Sequence, residues 1–151
     1  MNRYAVCGVV MLQGKILLVR HTYGVAKDRL LIPGGYVKEG ELPTAAVVRE
    51  IYEETKVNTE VESIISVQFK PEEWCVVFMM RYISGTPEPD YIENNEVMLL
   101  TMEEALQRED LTRTSKVILQ TIRSAGHKEL TGSDFCPNTS IPSDYKIFGV
   151  L

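Results

Sequence analysis

The chain predicts an α+β or α/β sandwich with a sheet in the middle. Short Val-, Ile- and Leu-rich runs at 4–12, 15–20, 29–32, 61–69 and 74–83 read as strands. Two longer stretches, 42–55 and 111–124, read as helices, and Gly- or Pro-bearing turns separate the runs. Strands mixed with two main helices need helices packed on the sheet to bury it.

Residues 4–12 form the first expected strand, and Gln13-Gly14 turns the chain into 15–20 (KILLVR), a hairpin partner. A polar loop, 21–28, leads to a short apolar strand that stops at Pro33-Gly34-Gly35, where regular structure is expected to end and the backbone to approach something closely. The clearest helix spans 42–55. Pro43 suits its first position, Leu42 is a poor N-cap, and Ala45, Val48, Ile51 and Tyr52 form an apolar stripe. Strands at 61–69 and 74–83 are joined by a hairpin loop at 70–73. A loop at 85–89, a short strand at 96–100 and a small helix at 102–107 precede the second main helix, which Thr112 or Thr114 is expected to cap. The pattern fades after residue 126. The 127–151 segment reads as a mobile tail or as an arm packed through Phe135, Tyr145 and Phe148.

The 151 residues suit one domain, with 1–126 as its body and 127–151 as an extension or packed arm. A net charge of -5 argues against binding a nucleic acid polymer, which relies on Lys and Arg at phosphates. Three separated cysteines, Cys7, Cys75 and Cys136, make neither a disulfide framework nor a thiolate zinc site. No segment is long enough to span a membrane, so a reducing, cytoplasmic setting is the expectation.

The chemistry concentrates in 35–57, GYVKEGELPTAAVVREIYEETKV. Glu50, Glu53 and Glu54 lie three and four apart and so share one helix face. Carboxylates this close raise the cost of ionising together, and a hard divalent cation removes that cost. Alone, such a run is usually a solvated helix face, and Gly34-Gly35 an ordinary turn.

Together they carry more. The spacing Gly35, five residues, Glu41, seven residues, Arg49-Glu50-Ile51-Tyr52-Glu53-Glu54-Thr55-Lys56-Val57 resembles the Nudix box, G-x5-E-x7-R-E-U-x-E-E-x-G-U with U aliphatic. At average usage of about 6–7% per residue type, six fixed matches arise by chance in such a chain with odds on the order of one in a hundred thousand. One position departs: the late glycine is Lys56, just past the expected helix, where either a left-handed cap costs a lysine roughly 1 kcal/mol or the helix ends differently. The resemblance extends over residues 3–125 and implies a Nudix fold, an α/β/α sandwich with a mixed central sheet between helices.

It also implies an activity: Mg²⁺- or Mn²⁺-dependent hydrolysis of a nucleoside diphosphate linked to another group. By that likeness Glu50, Glu53 and Glu54 are metal ligands with the backbone carbonyl of Gly35. Arg49 orients a glutamate, and Glu41 holds the loop. Residues 91–96 offer two further acids, and Glu96 is favoured over Glu93 as an added ligand or base, because the segment after it looks like the family's usual strand and helix. Arg20, which ends a strand near Gly34, is the leading candidate for substrate phosphate, with a surface salt bridge as its equal alternative. Tyr23, Tyr36, Phe69 and Trp74 are candidates for base stacking, although core packing is expected for Phe69 and Trp74. His21 and His127 show no metal-ligand spacing and receive no role.

The expected partner is a small nucleotide or nucleoside diphosphate derivative, and the chain's short form mildly favours nucleotides or dinucleotides over ADP-ribose. Homodimers are common in the family, and the 127–151 segment is a candidate swapped arm. A non-catalytic, nucleotide-binding regulatory module is the alternative. The presence of Glu41, Glu50, Glu53 and Glu54 counts against it. Isomerisation of an isoprenoid diphosphate is disfavoured, because Cys7 and Cys75 both lie in expected strands.

Overall fold

In a computed structural model of the chain, residues 3–124, 130–134 and 146–149 are described. Phe135 and Tyr145, two of the anchors expected for the C-terminal arm, lie outside them, as do Cys136 and His127. The elements run β1 (Arg3–Leu12), β2 (Lys15–His21), β3 (Leu30–Leu31), β4 (Gly34–Tyr36), α1 (Pro43–Thr55), β5 (Asn58–Lys70), β6 (Glu73–Ser84), β7 (Asn94–Leu100), α2 (Met102–Gln107), α3 (Arg113–Ser124), β8 (Leu130–Asp134) and β9 (Lys146–Gly149).

One mixed sheet carries the strands in the order β3-β2-β1-β6-β5-β8-β9, with β4 added to β1 and β7 to β2. β1 and β6 run parallel, and the other paired strands are antiparallel. The β1–β2 turn has positive φ at both Gln13 (52°) and Gly14 (77°), which matches the twist of a tight hairpin. β1 and β2 pair only beside this turn, Met11 with Ile16 and Leu12 with Lys15. Beyond it they part. β1 takes β4 on its free edge, and β2 takes β3 and β7. The fork between β1 and β2 therefore opens toward β4 and the N-terminal loop of α1.

Strand alternation builds two cores from one sheet. Val9, Ile16, Leu18 and Leu30 pack with Leu111, Ile118 and Leu119 on the α3 side. Val6, Val10, Leu17 and Phe78 pack with Val47 and Ile51 on the α1 side. Both faces are covered, which is the α/β/α sandwich of the α+β class that the sequence suggests. Phe148 of β9 reaches the α1-side core, its ring centroid 6.1 Å from that of Phe78.

Three local outcomes differ from expectation. Gly34 and Gly35 continue as strand β4 instead of ending regular structure. Gly34 pairs with Cys7 and Gly35 with Val6, and a Cβ on Gly34 would fall on the Val6 carbonyl oxygen. Glycine serves close approach here, and both residues keep extended backbone. α3 begins at Arg113, two residues later than expected, because Leu111 bridges to Leu30 and the Thr112 N–H donates to the Leu30 carbonyl at 2.9 Å. The Thr112 hydroxyl then accepts from the Ser115 N–H at 3.3 Å as the cap. β5 starts at Asn58, earlier than expected, with register shifts that absorb three irregularities along its pairing with β6.

α1 takes the left-handed of the two ends that its sequence left open. Lys56 is left-handed (φ 63°, ψ 15°), and its N–H donates to the Tyr52 carbonyl at 2.8 Å. Leu42 provides no side-chain cap. Lys56→Gly is therefore expected to stabilise the fold by about 0.5–1 kcal/mol, a rise in Tm of about 1–4 °C on thermal denaturation.

Candidate active site

The site is built where α1 faces the fork. Arg49 organises its outer side. Its Nε donates to Glu41 Oε1 at 2.7 Å and its Nη2 to Glu41 Oε2 at 2.9 Å, a bidentate pair. Nη1 donates to Glu50 Oε1 at 2.7 Å and to Glu53 Oε2 at 3.3 Å, and Nη2 also donates to the Tyr36 carbonyl at 3.0 Å. Glu41 Oε2 closes the loop by accepting from the Lys38 N–H at 2.9 Å. One guanidinium thus joins β4, the following loop and two turns of α1. The neighbouring Arg49 holds the Glu41 carboxyl down at about 2.

Glu54 organises the inner side. Its side chain is 1% exposed, and its Oε1 accepts from the Gly34 N–H at 3.0 Å. Its own backbone carbonyl accepts from Asn94 Nδ2 at 2.9 Å. Burial pushes the Glu54 carboxyl up, against the opposing pull of His21 and the Gly34 N–H. Burial raises Glu50 in the same way, opposed by Arg49. The Glu50 carboxylate lies against Gly35, so closely that a Cβ there would collide with it. Gly35 is thus held to glycine by a charged side chain.

Glu50, Glu54 and Glu93 offer carboxylate oxygens that all lie within 4.8 Å of one another. The loop that brings Glu93 in is shaped by Asp90, whose Oδ1 accepts from the N–H groups of Ile92, Glu93 and Asn94 at 2.9, 2.9 and 3.0 Å. Glu96, the acid favoured on sequence, lies elsewhere. It pairs with Arg20 in the β2–β7 register, and its Oε2 accepts from Arg20 Nε at 2.7 Å. Arg20 also donates to Asp110 Oδ2 at 2.9 Å and to the Asp28 carbonyl at 2.8 Å. Strand alternation puts Arg20 on the side of Ile16 and Leu18, facing α3, and His21 on the α1 side, while the register shift between them skips Asn95 of β7 and sets His21 opposite Asn94. Arg20 is thus the salt bridge that the sequence held as its alternative to a phosphate contact. Glu53 stands outside the close cluster, half exposed and bound to Arg49.

Gly34, Gly35 and Tyr36 form one wall of a cleft of about 700 Å³ that opens on the α3 side of the sheet. Cys7, Cys75 and Gln68 line it from the strands and Thr112 to Ser115 from the start of α3. Tyr36 reaches over it, its hydroxyl donating to Glu73 Oε1 at 2.9 Å. Tyr23 stacks on His21, with ring centroids 5.8 Å apart and planes at 6°. Phe69 and Trp74, expected in the core, are instead exposed, 69% and 50%, and meet edge to face. Strand parity assigns them to the α1 face, but neither is covered there. His21 and Asn94 sit against Glu54 without any sequence signal to mark them. Only the pairing of β2 with β7 brings them there.

Residues 1–122 match the NUDIX domain, so the chain belongs to the NUDIX family. Over 87 residues, 54% of this chain and 52% of the other, it is 36% identical to a Methanocaldococcus jannaschii protein named ADP-ribose pyrophosphatase. The chain thus spans about half the length of that relative. Over 110 residues it is 29% identical to a MutT-like protein of Streptomyces ambofaciens, covering 72% of this chain and 70% of that one. The crystal structure of a MutT NUDIX hydrolase from Burkholderia pseudomallei superposes with a TM-score of 0.72 at 20% identity, over 81% of this chain and 98% of that chain. No helix among the described residues is long and apolar enough to cross a membrane.

The raised Glu54 carboxyl yields a stability test. A buried acid whose folded pKa exceeds its unfolded value makes the fold less stable as pH rises above about 4.5, and the loss is complete once pH passes the folded value. Glu54→Gln keeps the shape and the acceptor for the Gly34 N–H but removes the charge. In EDTA the variant is expected to melt above wild type at pH 7, and the gap should shrink toward pH 4.5.

Proposed function

We propose that this protein hydrolyses a diphosphate linkage in a nucleoside diphosphate joined to a second group, with Mg²⁺ or Mn²⁺ as cofactor. The observation that carries the reading is the Glu50–Glu54–Glu93 cluster set against the glycines of β4, the strand whose other side lines the cleft. The cluster fits a hard divalent cation: its acids are partly or fully buried, and Glu54 Oε2 has no hydrogen-bond partner. Glu50, Glu54 and Glu93 would hold the ion with the Gly35 carbonyl, and Glu53 would join from the same helix face. The cation would supply charge neutralisation at the diphosphate and a lowered pKa for bound water.

The chain's own residues divide the remaining work. Arg49 fixes Glu50 and Glu53 in direction, and Glu41 fixes Arg49. Gly34 and Gly35 let β4 lie against the Val6 carbonyl and the Glu50 carboxylate, where a side chain would collide. The cleft beyond β4 takes the nucleoside. Water attacks one phosphorus, the bridging P–O bond breaks, and the leaving oxygen departs as a phosphate ester. A cluster carboxylate takes the proton of the attacking water. Glu93 replaces Glu96 as the loop acid in this scheme, because Glu96 is engaged by Arg20 away from the cluster.

The likeness to a protein named ADP-ribose pyrophosphatase supports ADP-ribose as one candidate substrate, alongside the nucleoside triphosphates and dinucleotides that the short chain suggests. Product release from dNTPs, 8-oxo-dGTP, ADP-ribose, NADH, nucleotide sugars and Ap4A, with and without Mg²⁺, separates them. One class should be cleaved only with metal, and Glu53→Gln should slow it at least ~100-fold. Nucleotide binding without turnover across the panel would instead favour the regulatory module.

The loop acids provide a second check. Glu93→Gln is expected to lower kcat by ~10²-fold or more with little change in Tm. Glu96→Gln should lower Tm through the loss of its Arg20 partner while kcat stays within about threefold of wild type. The reverse ranking in kcat would reassign the base.

A further inference from the structure

His21 closes β2 at the register shift, opposite Asn94. Its Nε2 lies 3.4 Å from Glu54 Oε2. Both atoms are shut off from solvent, and neither has a hydrogen-bond partner, so the two face each other without the alignment of a hydrogen bond. Glu54 Oε1 is already taken by the Gly34 N–H, which leaves Oε2 as the free donor of that carboxylate. Tyr23, parallel to the imidazole, fixes the plane of the ring.

Two buried electron-pair donors at this separation, one fully enclosed, suit a shared cation better than each other. Adjacent ligands of a small octahedral ion stand about 3 Å apart, since each bond is about 2.1 Å long. The separation in the protein is within a few tenths of an ångström of that.

We propose that His21 Nε2, which stands outside the set of oxygens within 4.8 Å of one another, is a nitrogen ligand with Glu54 Oε2 for a divalent cation on the Glu54 side of the Glu50–Glu54–Glu93 cluster. This rests on the reading of that cluster as a cation site and adds a selectivity to it. An all-oxygen set suits Mg²⁺, whereas an imidazole shifts preference toward Mn²⁺ and later first-row ions. The nitrogen must carry its lone pair, so the ring proton sits on Nδ1.

The test uses the whole protein and Mn²⁺ alone, with no substrate. Pulsed electron paramagnetic resonance of the bound ion should show coupling to an imidazole ¹⁴N, and this should change to the ¹⁵N pattern in uniformly ¹⁵N-labelled protein. His21→Phe keeps a ring against Tyr23 and removes the donor. It should abolish the coupling and weaken Mn²⁺ binding at least about tenfold by calorimetry, with a smaller loss for Mg²⁺.

Mn²⁺ bound without nitrogen coupling in wild type overturns the proposal and leaves His21 as a buried neighbour of Glu54. The wild-type spectrum decides this even if the variant does not fold. Failure of wild type to bind Mn²⁺ more tightly than Glu50→Gln would overturn the cation site itself, and the proposal with it.

Discussion

Arg49 is the fastening on which the outer half of the site depends. A single planar guanidinium donates to two loop-proximal groups, Glu41 and the Tyr36 carbonyl, and to two helix carboxylates, Glu50 and Glu53. A lysine has the charge but not the fixed fork, and it would leave some of these acceptors unmet. The arrangement also explains why Glu41 stands so far from Glu50 in sequence. The loop between β4 and α1 has to turn back far enough for its acid to meet the second turn of the helix. Leu42 gives that helix no side-chain cap, so the Glu41–Arg49 pair is the polar tie that anchors its start.

The inner half obeys a different constraint, the cost of enclosed charge. Glu54 is among the most buried side chains of the molecule, yet it has one hydrogen bond, and one of its oxygens is orphaned. A core position so filled weakens the fold in the absence of a counter-charge. The apolar packing of α1 on the sheet, through Val47, Ile51 and Leu17, sustains it. The same enclosure that raises Glu50 and Glu54 strengthens any electrostatic interaction formed there.

Much of this was written plainly in the chain. The helix that bears the glutamates follows from its spacing, and a left-handed Lys56 is one of the two ends that its place after the last turn allowed. The box itself is a set of fixed offsets, so it survives without knowledge of the fold. What escaped depends on pairing. Whether Glu93 or Glu96 reaches the cluster is decided by which residue of β7 lies opposite Arg20, and by the bulge that follows. His21 meets Glu54 only because β2 and β7 are neighbours, which no local pattern announces. Alternation placed Trp74 and Phe69 on a face, but the reach of α1 across that face decides whether they are covered.

β4 is three residues long, and it is a wall shared by two compartments. On one side it borders the carboxylates, through the Gly34 N–H, the Gly35 contact with Glu50 and the Tyr36 carbonyl. On the other it lines the cleft, whose remaining walls come from β1, the loop before β3, the 31–32 segment, β6, the end of β5 and the start of α3. Cleft residues such as Gln68, Thr114 and Arg113 can therefore change without touching the acids, so that under the proposed function the molecule accepted can vary while the reacting end does not. A scaffold partitioned in this way diversifies by redecorating one chamber, and its descendants should differ in what they accept more readily than in what they do to it.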